Sequence, residues 1–280
     1  MGSLSDYSEN ELLDHVFNAA YTASSTIYLA LCTADPTDAA TGASMNETAN
    51  SNAYARTAIV FGAAASRRVT QSGDVSFPEA TGTYGAAITH WAIVDSATYG
   101  AGNVLAHGAF NSSFTPVSGN TVTVPSTSVY VEIQATSGGA GYSDYTVHNW
   151  LDLMFRNQAF TKPSTYVGLS NTTLNDQDVT DADFTEVAGT GYARVQVNIN
   201  GGASPTWDLS SGGAISNTHL VTFPTVGAGN WTQLVSAVVV DSASGACNIL
   251  CYDNDNVIDQ TPQQNDVVRF PVGDLDLTLS

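Results

Sequence analysis

Residues 5–17 read SDYSENELLDHVF, and residues 143–155 read SDYTVHNWLDLMF. Both stretches begin with Ser-Asp-Tyr and continue to a Leu-Asp pair and a Phe, at a constant offset of 138 residues. Self-similarity at a fixed offset is the signature of a chain built from repeated structural units. The stretch therefore predicts that one fold occurs twice in this chain.

Landmarks further along the chain extend the repeat over almost its whole length. Tyr54-Ala55-Arg56 matches Tyr192-Ala193-Arg194 at the same offset, whereas Phe77-Pro78 matches Phe223-Pro224 at an offset of 146. The change predicts an insertion of about eight residues between Arg194 and Phe223. The Gly and Ser clusters at residues 201–202 and 210–213 favour a loop there.

A Gly-rich segment lies between the two copies and has the composition of a short connector. We therefore expect a first repeat at residues 1–134, a linker at 135–142 and a second repeat at 143–280. The two repeats should superpose on each other.

Each repeat opens with a pattern typical of an amphipathic helix. Leu12, Leu13, Val16 and Phe17 form one apolar stripe, and the spacing of Ser8 and Glu11 suggests a capping box. The matching stripe comprises Val147, Trp150, Leu151, Met154 and Phe155, with Thr146 at the cap position.

After each helix, short runs rich in Val, Ile, Thr and Tyr alternate with turn residues. The predicted strands are 26–32, 56–62, 88–95, 103–109, 120–124 and 128–133, then 165–169, 193–199, 234–241, 247–252, 266–270 and 275–279. Many short strands with turn signals are typical of antiparallel sheets packed face to face. The fold class is thus mainly β: two tandem antiparallel β-sandwich domains, each opened by one amphipathic α-helix.

The charge balance disfavours two classes of partner. In 280 residues, seven Lys and Arg stand against 26 Asp and Glu, which gives a net charge of −19. A nucleic-acid interface needs clustered basic side chains, and an anionic membrane surface attracts them too. The acidic start lacks the basic and apolar regions of a signal peptide. We expect a protein made in a cytoplasm that binds neither nucleic acid nor membrane.

The sequence offers no set of catalytic residues, and we expect no enzyme activity, no cofactor and no metal site. His15 is best explained as a packed histidine, since its counterpart in the second repeat is Leu153. Cys247 and Cys251 lie about 13 Å apart on a predicted strand, beyond disulfide reach. These two residues are predicted to be buried free thiols, and the odd total of three cysteines argues against a disulfide framework.

Two kinds of polar feature remain. The acidic stretches at residues 176–183 and 253–259 offer oxygen ligands for calcium, but both lack the EF-hand Gly and closing Glu, so solvated turns are preferred. Arg56 and Arg194 fall at matched positions, as do Asp95 and Asp241. An arginine that occurs at the same position of both repeats is best explained by a structural role. We expect Arg56 and Arg194 to make equivalent hydrogen bonds.

Several landmarks of the first repeat resemble a known family. Residues 12–17 and 21–31, Tyr54-Ala55-Arg56, and the stretches 60–65, 75–81, 88–95 and 103–108 occur in the order seen in small virion proteins of tailed bacteriophages called phage tail fibre proteins. The second repeat keeps this skeleton but departs at residues 234–236 and lacks a counterpart of His107-Gly108. The resemblance implies a virion protein with no catalytic residues to carry over.

Three functions remain in competition. The first is a non-enzymatic structural protein of the virion, in the tail fibre or tail apparatus. A head decoration protein that stabilises the capsid is the alternative placement, because the chain lacks a fibre-like stalk repeat. A carbohydrate-binding module would use exposed aromatic rings to bind a host surface glycan, with Trp207 and Trp231 in Gly-rich stretches as candidates, whereas Trp91 and Trp150 belong to core stripes.

The expected partners follow from these readings. They are other phage structural proteins of the tail or capsid and further copies of the chain, with a homotrimer favoured because three chains present six similar units.

Overall fold

The computed structural model describes residues 2–135, 139–198, 207–255 and 260–279. In the first repeat the elements are β1 (Gly2–Leu4), α1 (Asp6–Phe17), β2 (Ile27–Cys32), β3 (Thr57–Ile59), β4 (Arg68–Thr70), β5 (Val75–Ser76), β6 (Ile88–Val94), β7 (Val104–Phe114), β8 (Thr123–Val124) and β9 (Tyr130–Glu132). In the second they are β10 (Ala140–Tyr142), α2 (Asp144–Arg156), β11 (Thr165–Ser170), β12 (Val195–Asn198), β13 (Ala214–Ser216), β14 (Val221–Thr222), β15 (Ser236–Val240), β16 (Ile249–Asp253), β17 (Arg269–Phe270) and β18 (Asp276–Thr278).

The strand order repeats between the two halves. The seven-stranded sheet of the first repeat runs β3-β2-β6-β7-β1-β9-β4, and the five-stranded sheet of the second runs β12-β11-β15-β16-β10. The small pairs β13–β18 and β14–β17 correspond to β4–β9 and β5–β8. The mainly β, tandem fold is thereby confirmed. One detail differs: β1 pairs parallel with β9, while the other strand pairs are antiparallel.

All the predicted strands coincide with observed ones, but β1, β4, β5 and their counterparts β10, β13 and β14 were not predicted. These strands have only two or three residues, too few to show an alternating pattern. The presence of β10 at Ala140–Tyr142 also corrects the predicted linker, whose last three residues belong to the second sheet. Residues 136–138 of that linker lie outside the described part.

The helices follow the predicted apolar stripes but begin earlier than the predicted caps. Ser5 caps α1 by accepting a hydrogen bond from the Ser8 N–H at 3.3 Å, and Ser143 caps α2 through the Thr146 N–H at 3.2 Å. The capping box at Ser8 and Glu11 is therefore wrong, because both residues lie inside α1. A side-chain oxygen at the N-cap satisfies an otherwise unpaired helical N–H.

The inserted residues fall within the predicted interval. Thr57 and Val195 occupy matched register positions in β3 and β12, at an offset of 138. Phe61 and Trp207 make matched bridges to Gln71 and Asn217, at an offset of 146. The insertion thus lies between Val195 and Trp207, where residues 199–206, including the glycines at 201 and 202, lie outside the described part. The cluster at 210–213 is not inserted, since it matches residues 64–67.

One hydrophobic cluster runs through both repeats. It includes Leu12, Leu13, Val16 and Phe17 of α1, and Val147, Trp150, Leu151 and Met154 of α2. Fully burying one such side chain contributes about 1.5–3 kcal/mol, so the helices stabilise the two sheets jointly.

Candidate functional site at the junction of the two repeats

Each helix packs between its own sheet and a strand of the other repeat. The helix α1 lies against β1 and β7 and also against β13, while α2 lies against β16 and also against β4. The strands β4 and β13 are counterparts. The two contacts across the junction are therefore equivalent, and each repeat contributes the same elements.

The individual bonds across the junction show the same equivalence. The Ser210 N–H donates to Asp14 Oδ1 at 2.9 Å, and the Ala64 N–H donates to Asp152 Oδ1 at 2.8 Å. Asp152 is the counterpart of Asp14, and Ser210 is the counterpart of Ala64. A half-buried helix-face carboxylate thus accepts a turn N–H from the opposite repeat on both sides.

Aromatic and amide contacts complete the pattern. The ring centroids of Phe17 and Trp207 are 4.8 Å apart, and those of the counterpart pair Phe155 and Phe61 are 5.5 Å apart. Such ring pairs contribute about 0.5–1.5 kcal/mol beyond their buried area. Two further hydrogen bonds match each other across the junction. The Gly213 N–H donates to Asn10 Oδ1 at 3.1 Å, and the Arg67 N–H donates to His148 Nε2 at 3.0 Å.

An isologous interface has a two-fold axis. When residue i of the first unit contacts residue j of the second, residue j of the first unit also contacts residue i of the second. The three matched sets of contacts have this property. The chain is therefore a covalently joined pair of units with a pseudo-two-fold junction.

The junction departs from symmetry in its charges, and the difference begins at Arg67. Arg67 is buried, and its guanidinium donates to Tyr142 O and Asp144 Oδ1, both at 3.0 Å, and lies 3.5 Å from Asp176 Oδ2. It also donates to the carbonyls of Ile133 and Gln134 at 3.1 Å each. One side chain therefore forms ion pairs with two carboxylates of the second repeat and satisfies three carbonyls.

The counterpart of Arg67 is Gly213, and no cation stands there among the described residues. The Glu9 carboxylate fills the space instead, since a Cβ on Gly213 would lie 2.5 Å from its Oε2. Burial, with the charges of Asp38 and Asp6 adding to it, raises the pKa of Glu9 to about 7. Asp6 and Asp38 are the counterparts of Asp144 and Asp176, the two carboxylates that pair with Arg67.

The turn that carries Arg67 has a strained backbone. Ser66 and Arg67 have φ of 51° and 60°, and Gly212 and Gly213 at the matched turn have 58° and 69°. Two successive positive φ values define a type I′ hairpin turn, which glycine adopts without steric cost. Ser and Arg hold this conformation in the first repeat, where the Arg67 bonds offset the strain.

Within each repeat, the predicted arginine role is confirmed. Arg56 forms a two-pronged ion pair with Glu47, with both N–O distances 2.8 Å, and Arg194 forms the same pair with Glu186 at 2.8 and 2.9 Å. Both arginines also donate to a backbone carbonyl of a loop between longer strands, Ser96 O after β6 and Ser242 O after β15, each at 2.9 Å.

Tyrosines extend these clusters. Tyr54 donates to Glu47 at 2.7 Å and accepts the Leu31 N–H, and Tyr192 does the same with Glu186 and Leu169. The matched aspartates are structural as well. Asp95 accepts from the backbone and side chain of Asn103, and Asp241 accepts in the same way from Asn248.

One unmatched landmark also has a structural counterpart. His107 Nε2 lies 2.9 Å from Asp38 Oδ1, and the Tyr252 hydroxyl donates to Asp176 at 2.6 Å. Tyr252 thus performs for the second repeat what His107 does for the first. Sequence comparison missed this, because the ring types differ and the spacing changes by one residue there.

The histidine on α1 and the three cysteines are buried. His15 accepts the Tyr21 N–H at Nδ1 and donates from Nε2 to Phe160 O at 2.7 Å, and burial lowers its pKa. The three cysteines are free and buried, as predicted for Cys247 and Cys251, and burial raises the pKa of the Cys247 thiol to about 11. Cys247 lies outside β16, contrary to the predicted strand, since β16 begins at Ile249.

The tryptophan predictions are confirmed for two residues and wrong for two. Trp91 and Trp150 are buried, as expected, but Trp207 and Trp231 are only 2% and 1% exposed. Trp207 packs in the junction, and Trp231 packs against Tyr192 with ring centroids 5.3 Å apart. The polar residues around them form turns that fold over the rings, so local composition was a poor guide to exposure.

In the acidic stretches, Asp183 accepts the Val179 and Thr180 N–H groups at 3.0 and 2.8 Å, and these bonds lower its pKa. Residues 256–259 of the second stretch lie outside the described part. Among the described residues, no group of three or more His, Cys, Asp or Glu side chains is arranged to hold a metal ion. Neither helix in the described part is long and apolar enough to cross a membrane.

Comparison with known families matches both repeats separately. The family described as Podophage GP4 fiber I protein gp80 matches residues 3–132 and again residues 141–278. The chain belongs to this family. It carries the family unit twice, and its relatives are phage fibre structural proteins, as the tail fibre resemblance implied. No curated protein matches the chain significantly.

Proposed function

We propose that the protein is a non-enzymatic structural component of the podophage tail fibre or tail apparatus, exposed on the virion, in which two fibre units are joined as one rigid pair. The observation that carries this proposal is the family match to both repeats, combined with a junction that holds them through matched bonds. A joined pair delivers two units to the particle in a fixed relative orientation.

The state of the reactive side chains supports a structural role. The histidine on α1 is buried and makes two backbone hydrogen bonds, and its burial lowers its pKa. The thiols are buried as well. Arg56 and Arg194, which are matched between the repeats, each bind a carboxylate and backbone carbonyls. Nucleophiles and bases need accessible, activated groups. These groups instead fix loops and strand ends.

The partners we propose are other phage structural proteins and further copies of the chain, with a homotrimer favoured. Because the isologous surface of each repeat is covered by the other repeat, further contacts must use other surfaces. With a net charge of −19, those contacts need apolar area or paired charges to overcome repulsion between chains. Mass measurement of the purified chain tests the trimer: a stable monomer would contradict it.

Localisation on the particle tests the main proposal. Purified virions labelled with gold-conjugated antibodies raised against the chain should show label at the tail in electron micrographs. Label distributed over the capsid would overturn the tail placement in favour of head decoration. Particles without label, and without the chain by mass spectrometry, would overturn the virion role itself.

A further inference from the structure

The first repeat carries an open groove that is separate from the junction. The groove has a volume of about 420 Å³ and lies between the outer part of β7 and the segment from β8 to β9. The register of β7 against β6 shifts here, since Ile88 pairs with Phe114 while His90 pairs with Ala109. Such bulges re-aim side chains and are common beside binding sites. In the second repeat, the matching strand β16 ends at Asp253.

The groove combines aromatic rings with hydroxyl and amide groups. Phe110 and Phe114 are half-buried, with ring centroids 5.4 Å apart in an edge-to-face arrangement, and Tyr130 lines the opposite side. Asn111 and Ser112 are exposed beside these rings. Sites for small ligands typically pair apolar and aromatic walls with a few polar groups that set orientation.

The polar side chains of the groove have unused hydrogen-bonding capacity. Within the described part of the chain, the side chains of Asn111, Ser112, Thr127 and Ser128 make no hydrogen bond, whereas Thr123 bonds to Ser76. Together they offer several donors and acceptors on one concave surface. Thr127 also holds a positive φ of 67°, a strained conformation for a β-branched residue.

The groove is neutral on a strongly acidic protein. Of the described side chains that line it, none carries a charge. The basic side chain of Arg68 stacks over the Tyr130 ring, 4.2 Å from its centroid, and is paired with Glu132. A ligand that suits this surface is uncharged, rich in hydroxyl groups, and has apolar faces for the rings.

We infer that this groove is a binding site for a neutral oligosaccharide. Sugar hydroxyls satisfy the unpaired amide and hydroxyl groups, and the C–H faces of the sugar ring pack on Phe114 and Tyr130. An acidic glycan is disfavoured by the overall negative charge. The inference deepens the proposed virion role by adding a class of ligand. It rests on that role only in assigning the glycan to a bacterial surface.

A binding assay with the purified full-length chain tests the site. Neutral and uronic-acid-containing bacterial oligosaccharides are immobilised on an array, and hits are titrated by calorimetry. We expect a neutral glycan to bind, and Ser112→Glu to weaken it by about tenfold or more, because it places a charge in the groove. Ser244→Glu, an exposed site in the second repeat, is the matched control and should leave binding unchanged.

The melting temperatures of both variants should equal that of the parent, since neither side chain makes a hydrogen bond in the described structure. Phe114→Leu should weaken binding while keeping most of the apolar volume. The inference is overturned if no neutral glycan binds at millimolar concentration, if acidic glycans bind better, or if Ser112→Glu binds as the parent does. These results are independent of where antibodies find the protein on the virion.

Discussion

The two ends of the pseudo-two-fold junction have the same backbone and different electrostatics. At one end, the Arg67 guanidinium lies among Asp144, Asp176 and three carbonyls. At the other, Gly213 leaves the matched space to Glu9, whose pKa is raised to about 7. Duplication therefore preserved the packing that joins the units, while the charges diverged. We therefore expect the packing to provide most of the stability of the junction, and the charges to make that stability depend on pH.

The largest effect is expected from the aromatic pairs that both ends share. Trp207→Ala and Phe61→Ala should each reduce the free energy of unfolding by about 3–5 kcal/mol, because each leaves a cavity against a helix of the other repeat. Urea denaturation followed by fluorescence and circular dichroism checks this. A loss below about 1 kcal/mol in either variant would show that the junction adds little to the fold.

Removing the cation should have the next largest effect. Arg67→Ala leaves the carboxylates of Asp144 and Asp176 without their buried partner, and breaking such a network costs about 3 kcal/mol. The adjacent Arg68 is 43% exposed in its ion pair with Glu132, so Arg68→Ala serves as the matched control, with a loss of at most about 1 kcal/mol. Equal losses in the two variants would contradict the special role of Arg67.

The acidic end should make stability depend on pH. The pKa of Glu9 is raised from 4.5 to about 7 in the folded chain, so folding takes up a proton between these values. The free energy of unfolding therefore falls as pH rises through this window. Glu9→Gln should stabilise the protein by about 1–2 kcal/mol at pH 8, allowing for solvent screening, and have little effect at pH 4.

Thermal unfolding at both pH values measures this difference. Glu79→Gln, on an exposed loop, changes the net charge equally and should give no comparable gain. A gain from Glu9→Gln that is the same at pH 4 and pH 8 would show that the effect does not come from the carboxylate.

The smallest effect concerns the strained turn. Ser66→Gly gives the first repeat the residue type found at the matched Gly212, and it relieves the cost of a positive φ without touching the Arg67 bonds. The gain is partly offset by the larger entropy of glycine in the unfolded chain, so about 0.5 kcal/mol is expected. Chemical denaturation resolves it: destabilisation would mean that the turn is not strained at this position.

Much of the fold could be predicted from the sequence, because the repeat supplied each pattern twice. The helices and the longer strands have periodic patterns of apolar residues, which can be recognised in a single sequence. The matched arginines could be interpreted for the same reason. Helix starts were misplaced because Ser5 and Ser8 both offer capping hydroxyls, and only the backbone conformation separates them.

The junction itself was beyond such reasoning. Asp14 and Asp152 were visible as identical residues in the repeat, but their bonds go to turn N–H groups about 200 and 90 residues away. The counterpart of Arg67 is a glycine, so the repeat did not draw attention to the arginine. The groove depends on a shift in the register of β7 against β6. Such a shift is a property of paired strands and cannot be read from the sequence of one strand.

The central claim is that the repeats associate through their own isologous surfaces and not only through the linker. A protease site inserted after Ser137 allows the full-length folded chain to be cut between the repeats. We predict that the two fragments remain together as a one-to-one complex in native mass spectrometry and in gel filtration, and that Trp207→Ala weakens this complex. Fragments that separate as folded monomers at micromolar concentration would contradict the account.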